Sequence, residues 1–160
     1  SLYRLAPDLS LTQLLSNITV SNGIAFSQEE NIMYFADTPT ARIQKFEYSQ
    51  DFKKFHELDS NLIFNDVGVP DGATMDCQNN YWSARVRGNC IICIDMKKEK
   101  ILKKINLPTN TPTCLTFGGP DSSNLFVTSL RAEPINDSAD GNLYKVETNT
   151  KGSKQLLSEI

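Results

Sequence analysis

Three observations predict an all-β fold built from propeller blades. Short runs rich in Ile, Val, Phe, Tyr and Leu alternate with clusters of Gly, Asn, Asp, Pro and Ser, and no stretch has helical periodicity. Several runs, such as Ile91 to Ile94, are apolar on both faces, as in a strand packed between other layers. One layout of strand, turn, strand, loop, strand recurs three times.

Strands are expected at 1–5, 23–26, 32–37, 42–48, 61–65, 72–76, 81–85, 90–95, 101–106, 114–117, 125–129, 143–147 and 155–157. The first repeat opens on Ser21-Asn22-Gly23, the second on Pro70-Asp71-Gly72 and the third on Pro112-Thr113-Cys114. Aligning Asn22, Asp71 and Thr113 gives spacings of 49 and 42 residues. A four-stranded blade repeats every 40–50 residues or so. Blade boundaries then fall near 21–66, 67–111 and 112–160, with 1–20 ending a preceding blade. The opening Ser1-Leu2-Tyr3-Arg4-Leu5 reads as a start in mid-structure.

Charge and composition exclude several classes. Sixteen Lys and Arg against nineteen Asp and Glu leave a net charge of −3 in 160 residues, which suits neither nucleic acid nor its phosphates. The one dense cationic stretch, Lys97 to Lys104, reads as the solvated edge of a hairpin. No apolar run approaches the roughly 20 residues that span a bilayer, so no membrane partner is expected, and no secretory signal opens the chain. Without such a signal, Asn17-Ile18-Thr19 and Asn136-Asp137-Ser138 read as chance matches to the glycosylation pattern. Cys90 and Cys93 form a C-x-x-C on an expected strand, where residues three apart face opposite ways; they are read as buried, reduced thiols and not as a zinc clamp. A reducing, cytoplasmic setting follows as the expectation.

The first strand of a blade lines the central channel. Asn22, Asp71 and Thr113 therefore stand at equivalent places at one mouth, and all three carry side-chain oxygens of the kind a hard divalent cation needs. Asn-Gly and Asp-Gly are also common turn dipeptides, and spacing alone favours the turn. His56 is the only imidazole and sits in a polar segment, so no Ser–His–Asp or Cys–His triad can be assembled. Asp37 either supports the mouth from behind or caps a loop, the cap being preferred. Asp121 reads as a turn residue and Trp82 as core between blades. Arg85 and Arg87 either reach the substrate mouth or stand in solvent, with solvent preferred.

Ser21-Asn22-Gly23, Pro70-Asp71-Gly72 and Phe117-Gly118-Gly119-Pro120-Asp121, followed by Leu125 to Arg131, resemble the SMP-30/gluconolactonase/LRE-like family. The resemblance implies a six-bladed β-propeller that opens sugar lactones with a bound divalent metal, of which this chain supplies about three C-terminal blades. It implies Asn22 and Asp71 as metal ligands, with Asp71 also the candidate general base. The metal is expected to polarise the carbonyl and activate water; Ca²⁺ or Zn²⁺ is favoured, with Mg²⁺ or Mn²⁺ as alternatives. Thr113 and Arg85 are expected, less specifically, to touch the substrate, although packing serves Thr113 equally well. The family's metal-binding Glu and its second-blade substrate residues have no counterpart here. The ring is therefore expected to be closed by missing N-terminal blades or by a second copy. The alternative is a non-catalytic propeller that binds a metal, metabolite or protein at its mouth.

Overall fold

The computed structural model describes residues 1–27, 29–131 and 139–154. The expected strand at 155–157 and the pattern at Asn136 lie outside these residues. Every sheet is an antiparallel meander, the topology that short hairpin connections impose. A two-stranded sheet pairs β1 (Leu2–Leu5) with β2 (Leu11–Leu15). The first full blade runs β3 (Ser21–Ser27), β4 (Ile32–Asp37), β5 (Arg42–Tyr48) and β6 (Phe55–Ile63). The second runs β7 (Val69–Met75), β8 (Asn80–Val86), β9 (Cys90–Asp95) and β10 (Lys100–Asn106). The third shows β11 (Pro112–Gly118), β12 (Asn124–Ser129) and β13 (Leu143–Glu147).

The inner strands start two or three residues earlier than expected, and two other strands differ more. β2 carries Thr and Gln among its leucines and is largely exposed, so it lacks the apolar signature of a packed strand. β6 starts six residues earlier than expected, at Phe55 rather than 61. Its polar stretch pairs with β5 as an outer strand, His56 lying opposite Glu47, and outer strands need only one apolar face. His56 is exposed, as its sequence context implied, with Nε2 3.3 Å from the Glu47 carboxylate.

Blades pack through apolar faces, and each face of β9 serves a different interface. Cys90, Ile92 and Ile94 join Tyr34, Ile43 and Leu62 of the first blade. Ile91 and Cys93 join Trp82, Leu115, Leu125 and Val127 toward the third. This explains the unbroken apolar run, and it keeps the two thiols apart on opposite faces, both free and buried. Burial pushes the Cys93 thiol up to about 12 and also raises Cys90, so neither is a thiolate at neutral pH. Trp82 fills the junction of the second and third blades, its ring edge-on to Phe117 at 5.7 Å. Its indole N–H donates to the buried Asp76 carboxylate at 2.9 Å, which also accepts from the backbone of Gln78 and Asn80 and from the Asn80 amide. β10 presents its lysines to solvent along an outer edge, where charge discourages strand addition.

Candidate metal site at the mouth of the inner strands

The inner strands β3, β7 and β11 pack side by side. All three are irregular at the same end. Each ladder carries one extra residue on the inner strand, between Asn22 and Ala25, between Pro70 and Ala73, and between Pro112 and Cys114. A bulge bends a strand and re-aims side chains, and bulges gather near sites. Asn22 is the last paired residue before its bulge, whereas Asp71 and Thr113 lie inside theirs. Neither Asn22-Gly23 nor Asp71-Gly72 is a hairpin turn; both sit within inner strands.

Their glycines are required by close approach. Gly23 has φ +60°, and a Cβ there would lie 2.5 Å from the Tyr81 hydroxyl and 2.9 Å from Ala36 Cβ. Tyr81 is fully buried and donates to the Gly23 carbonyl at 2.6 Å, bolting β8 to the first blade's inner strand. A Cβ on Gly72 would lie 2.8 Å from Cys114 Cα, Cys114 Sγ and the Thr113 carbonyl. The two glycines thus set how closely successive inner strands can approach.

Asn22 and Asp71 are joined through a residue that the sequence pattern did not single out. The Asn22 amide donates to Thr38 Oγ1 at 2.8 Å, and the Thr38 hydroxyl donates to the Pro70 carbonyl at 2.8 Å. Thr38 begins the 3-10 turn Thr38–Thr40 that follows β4. Because the Asn22 Nδ2 is spent on Thr38, the amide oxygen is the atom left for a ligand; no donor among the described residues reaches it. Asp37 anchors the approach to the same motif. Its carboxylate accepts from the backbone N–H of Thr19 at 3.0 Å and of Val20 at 2.7 Å. Burial pushes that carboxyl up, but the Val20 and Thr19 bonds outweigh it and hold Asp37 below the usual range. Asp37 is a cap, as preferred.

The half-buried Asp71 carboxyl has the opposite balance. Desolvation raises it above 3.8, and the Gly72 N–H opposes this only in part. No cation among the described residues pairs with it. Ser21, Asn22, Gly23, Gly72 and Cys114 line a concavity of about 260 Å³ beside the pair. A larger one, about 1010 Å³, lies further along the inner strands between Phe26, Met75 and Thr116. Among the described residues no three His, Cys, Asp or Glu side chains converge to hold a metal. The chain through Thr38 thus ties Asn22 to the residue before Asp71, and an amide oxygen and a carboxylate are donors of the type a hard cation takes.

The remaining two expectations fare differently. The Thr113 hydroxyl is 2.9 Å from the Thr128 hydroxyl, which also accepts from the Cys114 N–H, so Thr113 braces its own bulge. Arg85 is neither in solvent nor at the substrate mouth. It is fully buried on β8, with Nη2 donating to the carbonyls of Phe64 and Gly68, because the 64–68 loop folds over it. Arg87 alone of the two arginines is exposed.

Replacing Thr38 by valine removes both hydroxyl bonds while keeping the shape. We expect a loss of about 1–2 kcal/mol in urea unfolding, and released rotation of the Asn22 amide seen in its side-chain NH₂ resonances.

Antiparallel blades with oxygen donors carried on bulged inner strands define a β-propeller with a candidate cation-binding mouth. Comparison with known proteins narrows the class. The chain belongs to the SMP-30/gluconolactonase/LRE-like family, whose model matches residues 1–131. It is 31% identical over 150 residues to the 6-deoxy-6-sulfogluconolactonase of Pseudomonas putida, covering 90% of this chain and 51% of that one. It is 30% identical over 132 residues to regucalcin of Xenopus laevis, covering 81% and 44%. The solved structure of a calcium-binding regucalcin from Agrobacterium tumefaciens matches with a TM-score of 0.87 at 25% identity, covering 99% of this chain and 55% of that chain. The chain spans about half the length of the curated relatives it matches.

Proposed function

We propose that the chain forms part of a divalent-metal-dependent hydrolase that opens sugar lactones. The observation that carries this reading is the Asn22–Thr38–Pro70 hydrogen-bond chain, which leaves the Asn22 amide oxygen free and ties Asn22 to the strand that carries Asp71. Relatives named lactonase supply the reaction class, and a relative named as a calcium-binding protein supplies the kind of cation. Asn22 and Asp71 would hold the ion. When bound, a divalent cation polarises the lactone carbonyl as a Lewis acid. Asp71 would accept the proton of the attacking water on a carboxylate oxygen that the ion leaves free. Asn22, whose amide is held by Thr38, would offer the ion a neutral oxygen that adds no charge.

Oxygen donors suit Ca²⁺ and Mg²⁺ and are compatible with Mn²⁺ and Zn²⁺. A six-bladed ring, with its remaining donors supplied by further blades or a second copy, completes this reading. The decisive experiment follows proton release from glucono-δ-lactone with each cation and with EDTA. Hydrolysis should require a cation and cease with EDTA; hydrolysis indifferent to EDTA would overturn the proposal. A second reading, a metal-binding propeller without catalysis, is favoured by the partial donor set. Cation binding with no hydrolysis in any form of the protein would select it.

A further inference from the structure

We propose that Arg85 is a positioning residue: its buried guanidinium braces the loop that delivers Asp71 to the mouth. The ladder places Arg85 directly opposite Pro70, the residue before Asp71. Its Nη2 donates to the Phe64 carbonyl at 2.8 Å and to the Gly68 carbonyl at 2.6 Å. These two carbonyls flank the 3-10 turn Asn65–Val67, whose start has no side-chain cap. One nitrogen thus pins both ends of the turn that leads into β7.

The seat of this turn is tight. A Cβ on Gly88 would lie 2.0 Å from the Val67 carbonyl oxygen, and one on Gly68 would lie 2.4 Å from that of Val86. The turn therefore lies directly on the β8–β9 connection, with no side chain between them, and Arg85 holds it there from below.

Stability does not account for a guanidinium in this place. Arg85 is 0% exposed, and its Nε and Nη1 have no hydrogen-bond partner among the described residues. Desolvation lowers its pKa to about 10, only partly offset by Tyr81, Cys90 and Asp66. Burying a cation with most of its donors idle is unfavourable, so the guanidinium is a costly way to hold two carbonyls. Nor does Arg85 pair with Asp71: its hydrogen bonds among the described residues go to backbone carbonyls. The remaining route is through the backbone, from the pinned carbonyls to Pro70 and Asp71.

This inference rests on the metal-site reading for its consequence, but its geometry is tested independently. Arg85→Met and Arg85→Lys are compared with the parent chain by thermal unfolding, by amide hydrogen exchange and by Mn²⁺ titration. Arg85→Met should lower the thermal midpoint only modestly, because removal of a desolvated cation offsets part of the loss of the donor to the Phe64 and Gly68 carbonyls. It should speed exchange at least about tenfold in peptides covering 64–73, while those covering β9 keep their protection. Mn²⁺ affinity should fall about 10–100-fold, the range for residues that orient metal ligands. Arg85→Lys, which can reach only one carbonyl, should fall between. Unchanged exchange at 64–73 in Arg85→Met would overturn the proposal, as would a lower midpoint with protection lost across the whole chain. If Arg85→Met does not fold, Arg85→Lys is judged on the same local exchange. A parent chain that binds no Mn²⁺ would overturn the metal reading, and the exchange measurement would still decide the brace.

Discussion

Asp71→Ala should abolish divalent-cation binding and lower the rate of lactone opening by about 10²–10⁴-fold, the range for a lost general base. The loss of a ligand adds to this. The effect should be larger than at Asn22, because a carboxylate supplies charge where an amide supplies only a dipole. Asp71→Asn separates folding from function. It keeps the shape but removes a desolvated charge, so the thermal midpoint without metal should stay level or rise while binding is lost. The pH dependence follows from the direction of the shift. Burial raises the Asp71 carboxyl above 3.8, so the folded chain holds this proton more tightly than the unfolded chain. The stability contributed by the proton is present in full below pH 3.8 and disappears as pH rises through the raised value. Binding runs the other way, since a cation needs the carboxylate and displaces the proton. Cation affinity should therefore begin to fall on acidification at a higher pH than an ordinary aspartate would give. Calorimetric titrations at stepped pH measure this directly, and the dependence should be absent in Asp71→Asn.

Gly23→Ala should be the most damaging small substitution at the site, costing about 3 kcal/mol in urea unfolding. Three penalties coincide there: a φ of +60°, a contact of 2.5 Å to the Tyr81 hydroxyl and one of 2.9 Å to Ala36 Cβ. The partners are a buried tyrosine and a strand, neither of which can move aside. Tyr81→Phe alone should cost about 1–2 kcal/mol, since it leaves the Gly23 carbonyl buried without its donor. The double variant should cost less than the sum of the two, because the atom that collides most severely with the new methyl is gone. The strain at φ and the Ala36 contact persist, so rescue should be partial. Because Gly23 follows Asn22, the same variant should also displace the amide oxygen and weaken cation binding.

Much of this architecture was legible in the sequence because blades repeat. Runs such as Ile91 to Ile94 declare burial on both faces whatever their neighbours are. The Asn22 and Asp71 motifs, spaced at blade intervals and resembling a known family, located the mouth. β2 and the first half of β6 escaped notice because outer strands tolerate polar residues on the face that meets solvent. Thr38 escaped because its role depends on which strand ends meet across two blades, 32 residues apart from Pro70.

Local chemistry alone determined the β class, the repeat and the buried thiols of Cys90 and Cys93. These depend on periodicity, on strand alternation and on residue type. Only the tertiary structure decided that the two Gly motifs are bulged inner strands and not turns, that Thr38 links their residues, and that Arg85 lies beneath a loop instead of in solvent. Arg85 shows the reason most clearly. An arginine is exposed by default because its charge is costly to bury, and what reverses that default is a pair of backbone carbonyls, Phe64 and Gly68, brought over it by the packing of one blade against the next.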